Sequence, residues 1–130
     1  MGMGTPKDDA AAARWYFKAA EQGNINGQVL IGRRYQDDLV VPQDYEEAVR
    51  WYRKAAERGD PEGQRKLGYM FGLGKGVPRD LVEACKRFNL AASGGDSTAV
   101  EMRDRTAKEL TRDQIAEAQR LAREFVAIEE

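Results

Sequence analysis

Few residues in this chain could do chemistry, and their spacing decides which kind. Gly72-Leu73-Gly74-Lys75-Gly76 is a glycine-rich run with a lysine. A Walker-type phosphate loop needs a glycine five positions before the Gly-Lys pair and Ser or Thr after the lysine. Those positions hold Tyr69 and Gly76, so the motif fails and the run reads as a structural loop. Asp37-Asp38, Glu46-Glu47 and Glu129-Glu130 are acidic pairs. Adjacent helical residues point in different directions, so such pairs do not converge on a substrate or a cation. No EF-hand spacing is present. They read as solvated surface or helix caps. Histidine is absent, which removes Ser-His, Cys-His and His-metal arrangements together. A general base at neutral pH would need a strongly shifted carboxylate or lysine, and nothing in the spacing argues for one. Cys85 is the one cysteine, which excludes an intrachain disulfide and a thiolate metal cluster. It lies beside Ala84 and reads as a small buried hydrophobe. No catalytic residue, metal or cofactor is expected.

The chain that would position a site has 130 residues, enough for one domain with a sizeable core. Charged residues make up 33% and apolar ones 42%, with a mean hydropathy of -0.70. Lys+Arg 21 against Asp+Glu 22 gives a net charge of -1. A global basic field for nucleic acid or anionic membrane is absent. No apolar run approaches the ~20 residues of a membrane span, and no signal-peptide core is visible. The expectation is a soluble protein with no nucleic-acid partner and no membrane insertion. It would be cytoplasmic or, if a processed fragment, periplasmic.

Internal repetition organises the chain. Shifting residues 8–43 by thirty-six positions onto 44–79 matches fifteen of them. They include Arg14-Trp15-Tyr16 with Arg50-Trp51-Tyr52, Lys18-Ala19-Ala20-Glu21 with Lys54-Ala55-Ala56-Glu57, and Gly27-Gln28 with Gly63-Gln64. A third copy keeps Glu83, Ala84, Ala91, Ala92, Gly95 and Asp96, with Phe88 in the slot of Tyr52. A period of this length means a stack of supersecondary units. The units read as 1–43, N-terminally incomplete, then 44–79, 80–110, and a C-terminal capping helix over 111–130.

Each unit reads as two helices. Asp44 is an N-cap, with Glu47 three residues on. Ala48, Trp51, Tyr52, Ala55 and Ala56 then form one apolar helical stripe. Gly59 suits a left-handed residue just past the helix, and Asp60-Pro61 caps and starts the next. That helix carries Gly63, Leu67, Gly68 and Phe71. Trp15, Tyr16, Trp51 and Tyr52 recur at the repeat period and read as core. Arg50, Arg53, Lys54 and Arg58 read as a solvated face, given the interleaved acids.

The pattern Asp-Tyr-x-x-Ala-x-x-Trp-Tyr-x-Lys-Ala-Ala-x-x-Gly-Asp, then Gly-x-x-x-Leu-Gly-x-x-Phe-x-x-Gly-x-Gly-Val, resembles the Sel-one-like repeat (SLR), a relative of the tetratricopeptide repeat. The resemblance covers about residues 2–100. It implies an all-α, right-handed α-solenoid of antiparallel helix pairs, common in bacteria and used as a non-catalytic protein–protein interaction scaffold. Some members act as inhibitor or immunity-type partners. The alternative is a structural segment of a longer array with no binding of its own. The sequence departs from the pattern at Asp38 and Val40, which replace loop glycines, and at Arg87 and Leu90, which replace Trp and Lys.

The two ends differ. Thr111-Arg112-Asp113-Gln114 is a capping box. It opens a helix with Ile115, Ala118, Leu121, Ala122, Phe125 and Val126 on one face and charges on the other, as an end unit requires. Gly2-Met3-Gly4-Thr5-Pro6-Lys7-Asp8 aligns with Gly74-Lys75-Gly76-Val77-Pro78-Arg79-Asp80. The chain therefore reads as starting inside a repeat loop, without an N-terminal cap. Trp15 and Phe17 would then border exposed apolar surface. This suggests a fragment of a longer array, or self-association through the open end.

In such solenoids one helix per repeat lines the concave face, and the resemblance assigns the first helix of each repeat. On the helix starting near Ile25, Gly27, Ile31 and Tyr35 mark the core side, and Asn26, Val29, Leu30 and Arg33 point away from it. The next equivalents are Glu62, Arg65, Lys66 and Tyr69, then Thr98, Glu101, Met102 and Arg105. Together they suggest a groove with an arginine–lysine band flanked by apolar residues, a composition that binding centres favour. A partner protein or peptide with acidic and apolar residues would suit it.

Overall fold

The computed structural model describes residues 6–37 and 44–128, with side chains from Arg14 onward. Helices α1 (Pro6–Glu21), α2 (Ile25–Asp37), α3 (Tyr45–Glu57), α4 (Pro61–Leu73), α5 (Leu81–Ser93), α6 (Ser97–Ala107) and α7 (Arg112–Arg123) follow one another, and the described residues contain no strand. Each helix from α1 to α5 packs on the next, whereas α7 packs back on α5. The chain is an all-α solenoid.

The period is written into the hydrogen bonds. Asn24, Asp60 and Asp96, thirty-six residues apart, accept from the backbone N–H of Gly27, Gly63 and Ala99 at 2.8, 2.8 and 3.0 Å. Asp44 and Asp80 do the same for Glu47 and Glu83 at 3.1 and 3.0 Å. Each cap satisfies a donor that the first helical turn leaves orphaned. Gly23, Gly59 and Gly95 sit at φ of 94, 88 and 99° just past α1, α3 and α5, where a side chain would be strained. Thr111 and Gln114 close the expected capping box at α7.

The core lies between consecutive helices. Val29, Ala48, Val49, Tyr52, Ala55, Ala56, Leu67 and Met70 form the largest cluster. Gly32 and Gly68 lie under aromatic rings. A Cβ on Gly68 would stand 2.8 Å from Phe88, and one on Gly32 2.5 Å from Tyr52. Both distances are too short for any side chain, so the ring and the helix backbone can approach only where the sequence holds glycine. Cys85 is buried as expected, and burial pushes its thiol above the ordinary value.

Apart from the suggested groove, three sequence expectations change in the structure. Trp15 is 65% exposed, whereas its repeat counterpart Trp51 is 9% exposed. The ring of Phe17, from the neighbouring α1, covers Trp51 edge-on at 6.0 Å, whereas the edge-on ring at Trp15 is that of its own chain neighbour Tyr16, at 5.3 Å, and leaves it exposed. Helix α7 ends at Arg123, not near residue 130, so Val126 leaves the helical stripe and stands 82% exposed. The segment beyond runs to α3, where the Ile128 N–H donates to the Glu57 carbonyl at 2.7 Å. The basic strip on α3 is not simply solvated. Arg50 pairs with Glu47 at 2.5 Å, Arg53 lies over Phe71, Lys54 lies over Trp51, and Arg58 donates to the Gly23 carbonyl. Four readings lie outside the described residues: the alignment of Gly2–Thr5, the loop substitutions Asp38 and Val40, the Asp38 half of its acidic pair, and Glu129-Glu130.

Candidate binding surface

The glycine-rich loop after α4 is a turn held against α3. Gly74 ends the helix in the left-handed region at φ 70°, and the Lys75 ammonium sits 5.0 Å from the Tyr45 ring centroid. The glycines turn the chain and the lysine pins the loop to α3. Among the described residues no group of His, Cys, Asp or Glu side chains could hold a metal ion. No described helix is long and apolar enough to cross a membrane.

The suggested groove residues fall into three groups. On α2, Asn26 and Arg33 are exposed and Leu30 is half-buried. Val29 is a correction: it is 4% exposed and packs with Ala48, Val49 and Tyr52. Helix α2 is sandwiched between α1 and α3, so its apolar stripe is wider than the positions marked by Gly27, Ile31 and Tyr35. Val29 offers no surface to a partner.

On α4, Glu62 and Tyr69 are exposed, while Arg65 and Lys66 are half-buried. Arg65 is committed within the fold. Its Nε donates to Asp96 at 2.8 Å and ties α4 to the cap of α6. Burial works to raise the Asp96 carboxyl, but the Arg65 hydrogen bond and the Ala99 N–H outweigh it and hold the group below its ordinary value. Burial pushes the Lys66 ammonium below its ordinary value, and the positive charges of Arg65 and Arg33 push the same way. The arginine–lysine band is therefore a crowded cationic patch with one member already paired.

On α6, Glu101 and Arg105 are exposed and Met102 is half-buried. Tyr69, Met102 and Arg105 share one cavity of about 270 Å³ with Gly72, Leu73, Arg79, Leu81, Phe88, Thr106 and Glu109. The residues that make it concave come from α4, α5 and α6 at once. Arg79 Nη2 lies 3.4 Å from Glu109 Oε1, an exposed pair among its lining residues. Leu73, Arg79 and Phe88 escaped sequence reasoning. Phe88 read only as the repeat's core aromatic, and the Arg79–Glu109 pair spans two turns of the stack. The lining joins Leu73, Leu81, Phe88 and Met102 with two guanidinium groups, Arg79 and Arg105. It offers a seat for an apolar side chain beside attraction for a carboxylate.

Stacked helix pairs on a thirty-six-residue period define an α-helical repeat protein. The family model described as Sel1 repeat matches residues 1–24, 25–60 and 61–96, and the chain belongs to the Sel1 repeat family. Members of that family serve generally as protein-interaction scaffolds. Among solved structures, the chain is similar to c5321, described as a protective antigen present in uropathogenic Escherichia coli strains displaying an SLR fold. That match has 32% identity and a TM-score of 0.91, and covers 95% of this chain and 27% of c5321. A Sel1 repeat protein from Oxalobacter formigenes matches at 36% identity and TM-score 0.69, over 72% of this chain and 39% of that one. Helicobacter pylori cysteine rich protein B matches at 31% identity and TM-score 0.66, over 69% and 68%. No curated protein sequence matches the chain. The chain thus spans well under half the length of the first two of these relatives.

Proposed function

We propose that this chain is a non-catalytic protein-interaction segment that receives an acidic and apolar peptide, or the equivalent stretch of a protein, on the face formed by α2, α4 and α6. The observation that carries this reading is the cavity shared by Tyr69, Met102 and Arg105. Tyr69 would stack on the partner and Met102 would adapt to it, since the thioether is flexible and polarizable. Arg105 would hold a carboxylate, Arg79 being already shared with Glu109 and the Gly72 carbonyl, and Arg33 and Lys66 would extend the positive field along α2 and α4. Asn26, Leu30, Glu62 and Glu101 would form the surrounding surface. Arg65 would act through its Asp96 bridge, keeping α4 and α6 in register.

The test is selection from a displayed random-peptide library on the full chain, then affinity measurement by fluorescence anisotropy. The expected ligands carry Asp or Glu beside Leu, Phe or Met. Tyr69→Ala with Arg105→Glu should weaken them by roughly a hundredfold, the scale of two hot-spot contacts, with unchanged helix content. Selected peptides that bind the double variant as well as the parent would move the site elsewhere.

A second reading, a structural segment of a longer array, is favoured by Trp15. Its exposed ring lines an apolar hollow with Arg14, Phe17 and Lys18 at the first described helix. Self-association through that face belongs to the same reading. Light scattering that shows a monomer over a wide concentration range would remove the self-association form.

A further inference from the structure

A second cavity, of about 280 Å³, lies at the corner where the ends of α1 and α3 approach the start of α2. It is separate from the α4–α6 cavity and is lined in part by Gln28, Glu21, Glu57, Lys54, Arg58 and Ile128. Gln28 is 5% exposed. Its Nε2 donates to the Ala20 carbonyl at 3.4 Å, and its Oε1 is buried without a hydrogen-bond partner. Buried acceptors are almost always paired, so an orphan asks for a donor.

The molecule itself shows which donor fits. Gln64, one period on, holds its Nε2 on the Ala56 carbonyl at 2.6 Å in the same way. Its Oε1 accepts from Arg87 Nη1 at 3.0 Å, and Arg87 Nε donates to Glu83 at 2.8 Å. A guanidinium thus fills the slot between an amide oxygen and a carboxylate. The residue one period before Arg87 is Trp51, which brings no such donor to Gln28. Of the cations lining the corner cavity, Lys54 lies over the Trp51 ring, and Arg58 is held on its rim by the carbonyl of Gly23, itself a lining residue, so neither is bonded to the Gln28 oxygen. Glu21 and Glu57 make no ion pair among the described residues. The unmet groups are an amide oxygen and two carboxylates.

We propose that this corner cavity binds a guanidinium group, held by Gln28 Oε1 with Glu21 and Glu57 as its carboxylate partners. A planar fork of N–H donors reaches an amide oxygen and a carboxylate together, which an ammonium point charge does less well. The group would come from a free small molecule or from an arginine side chain of a partner.

The probes are agmatine and a capped Gly-Arg-Gly tripeptide, titrated into the full chain and followed by ¹H–¹⁵N NMR. Tetramethylammonium, a cation without N–H donors, is the control. Saturable shifts of the Gln28 side-chain amide and the Gly23 N–H are expected with both guanidinium probes and not with the control. Tighter agmatine binding would make the ligand a free molecule, and tighter tripeptide binding a partner's arginine. Gln28→Met should weaken binding roughly tenfold, as loss of a charge-assisted hydrogen bond does, with helix content unchanged. If that variant fails to fold, Glu57→Gln should also weaken binding. No saturable shift at tens of millimolar probe, equal shifts with tetramethylammonium, or unchanged affinity in the folded variants would overturn the proposal.

Discussion

The units matched at 25–60 and 61–96 repeat one another's caps, glycines and glutamine, yet their interiors are completed differently. In the second, Gln64 is closed by Arg87, itself held by Glu83. In the first, Trp51 stands in that slot, and the Gln28 oxygen has no partner. The tryptophans make the same point. Trp51 is covered by Phe17 and only 9% exposed, while Trp15, edge-on to its chain neighbour Tyr16 at 5.3 Å, stays 65% exposed. Repetition of residues reproduces local geometry, because caps and turns depend on near neighbours. It does not reproduce the environment, which depends on the residue supplied by the adjacent helix.

The largest expected effect separates the two tryptophans. Trp51→Ala should cost about 3–5 kcal/mol, the scale of a large aromatic removed from a core. Trp15→Ala should stay within about 0.5 kcal/mol, as exposed substitutions do. Urea unfolding of both variants checks this, and similar losses would mean that Trp15 is covered in solution.

The glutamines give the next effect. Gln64→Met leaves the Arg87 guanidinium without its amide partner and should cost about 1–3 kcal/mol. Gln28→Met removes an orphaned acceptor together with one long hydrogen bond to the Ala20 carbonyl, and should cost less than Gln64→Met. Thermal melts of the two variants, compared side by side, test whether the contrast between the repeats is real. An equal loss would show that Gln28 has found a donor.

The smallest effect is acid sensitivity at the seam between α4 and α6. The folded Asp96 carboxyl lies below its ordinary value of 3.8. Its contribution is therefore complete above that value and is lost as pH falls through the lower folded value. Urea midpoints measured from neutral pH downward should fall more steeply in the parent than in Asp96→Asn, which keeps a capping side chain. Parallel curves would remove Asp96 as a source of acid sensitivity.

Much of this architecture was legible in the residues. The period, the caps at Asp44 and Asp60, the turn at Gly59 and the burial of Cys85 follow from local rules and from one copy checked against another. Tyr69, Met102 and Arg105 were legible as helix positions facing away from the core. The rest depended on contacts distant in sequence. Val29 is buried by α3, and Leu73, Arg79 and Phe88 join a cavity assembled from three helices. Arg87 was visible as a departure from the repeat, but its pairing with Gln64 needed two helices in place. The stop of α7 at Arg123 ended a stripe that continues in the sequence through Val126.

The central claim is that the α4–α6 face receives an acidic and apolar segment. The most direct measurement is ¹H–¹⁵N chemical-shift mapping of the full chain with the tightest peptide from the selection. The account predicts perturbations centred on Tyr69, Leu73, Met102 and Arg105, fading toward Trp15 and α7. Perturbations centred on Trp15, or on α7, with the α4–α6 cavity unchanged, would contradict it.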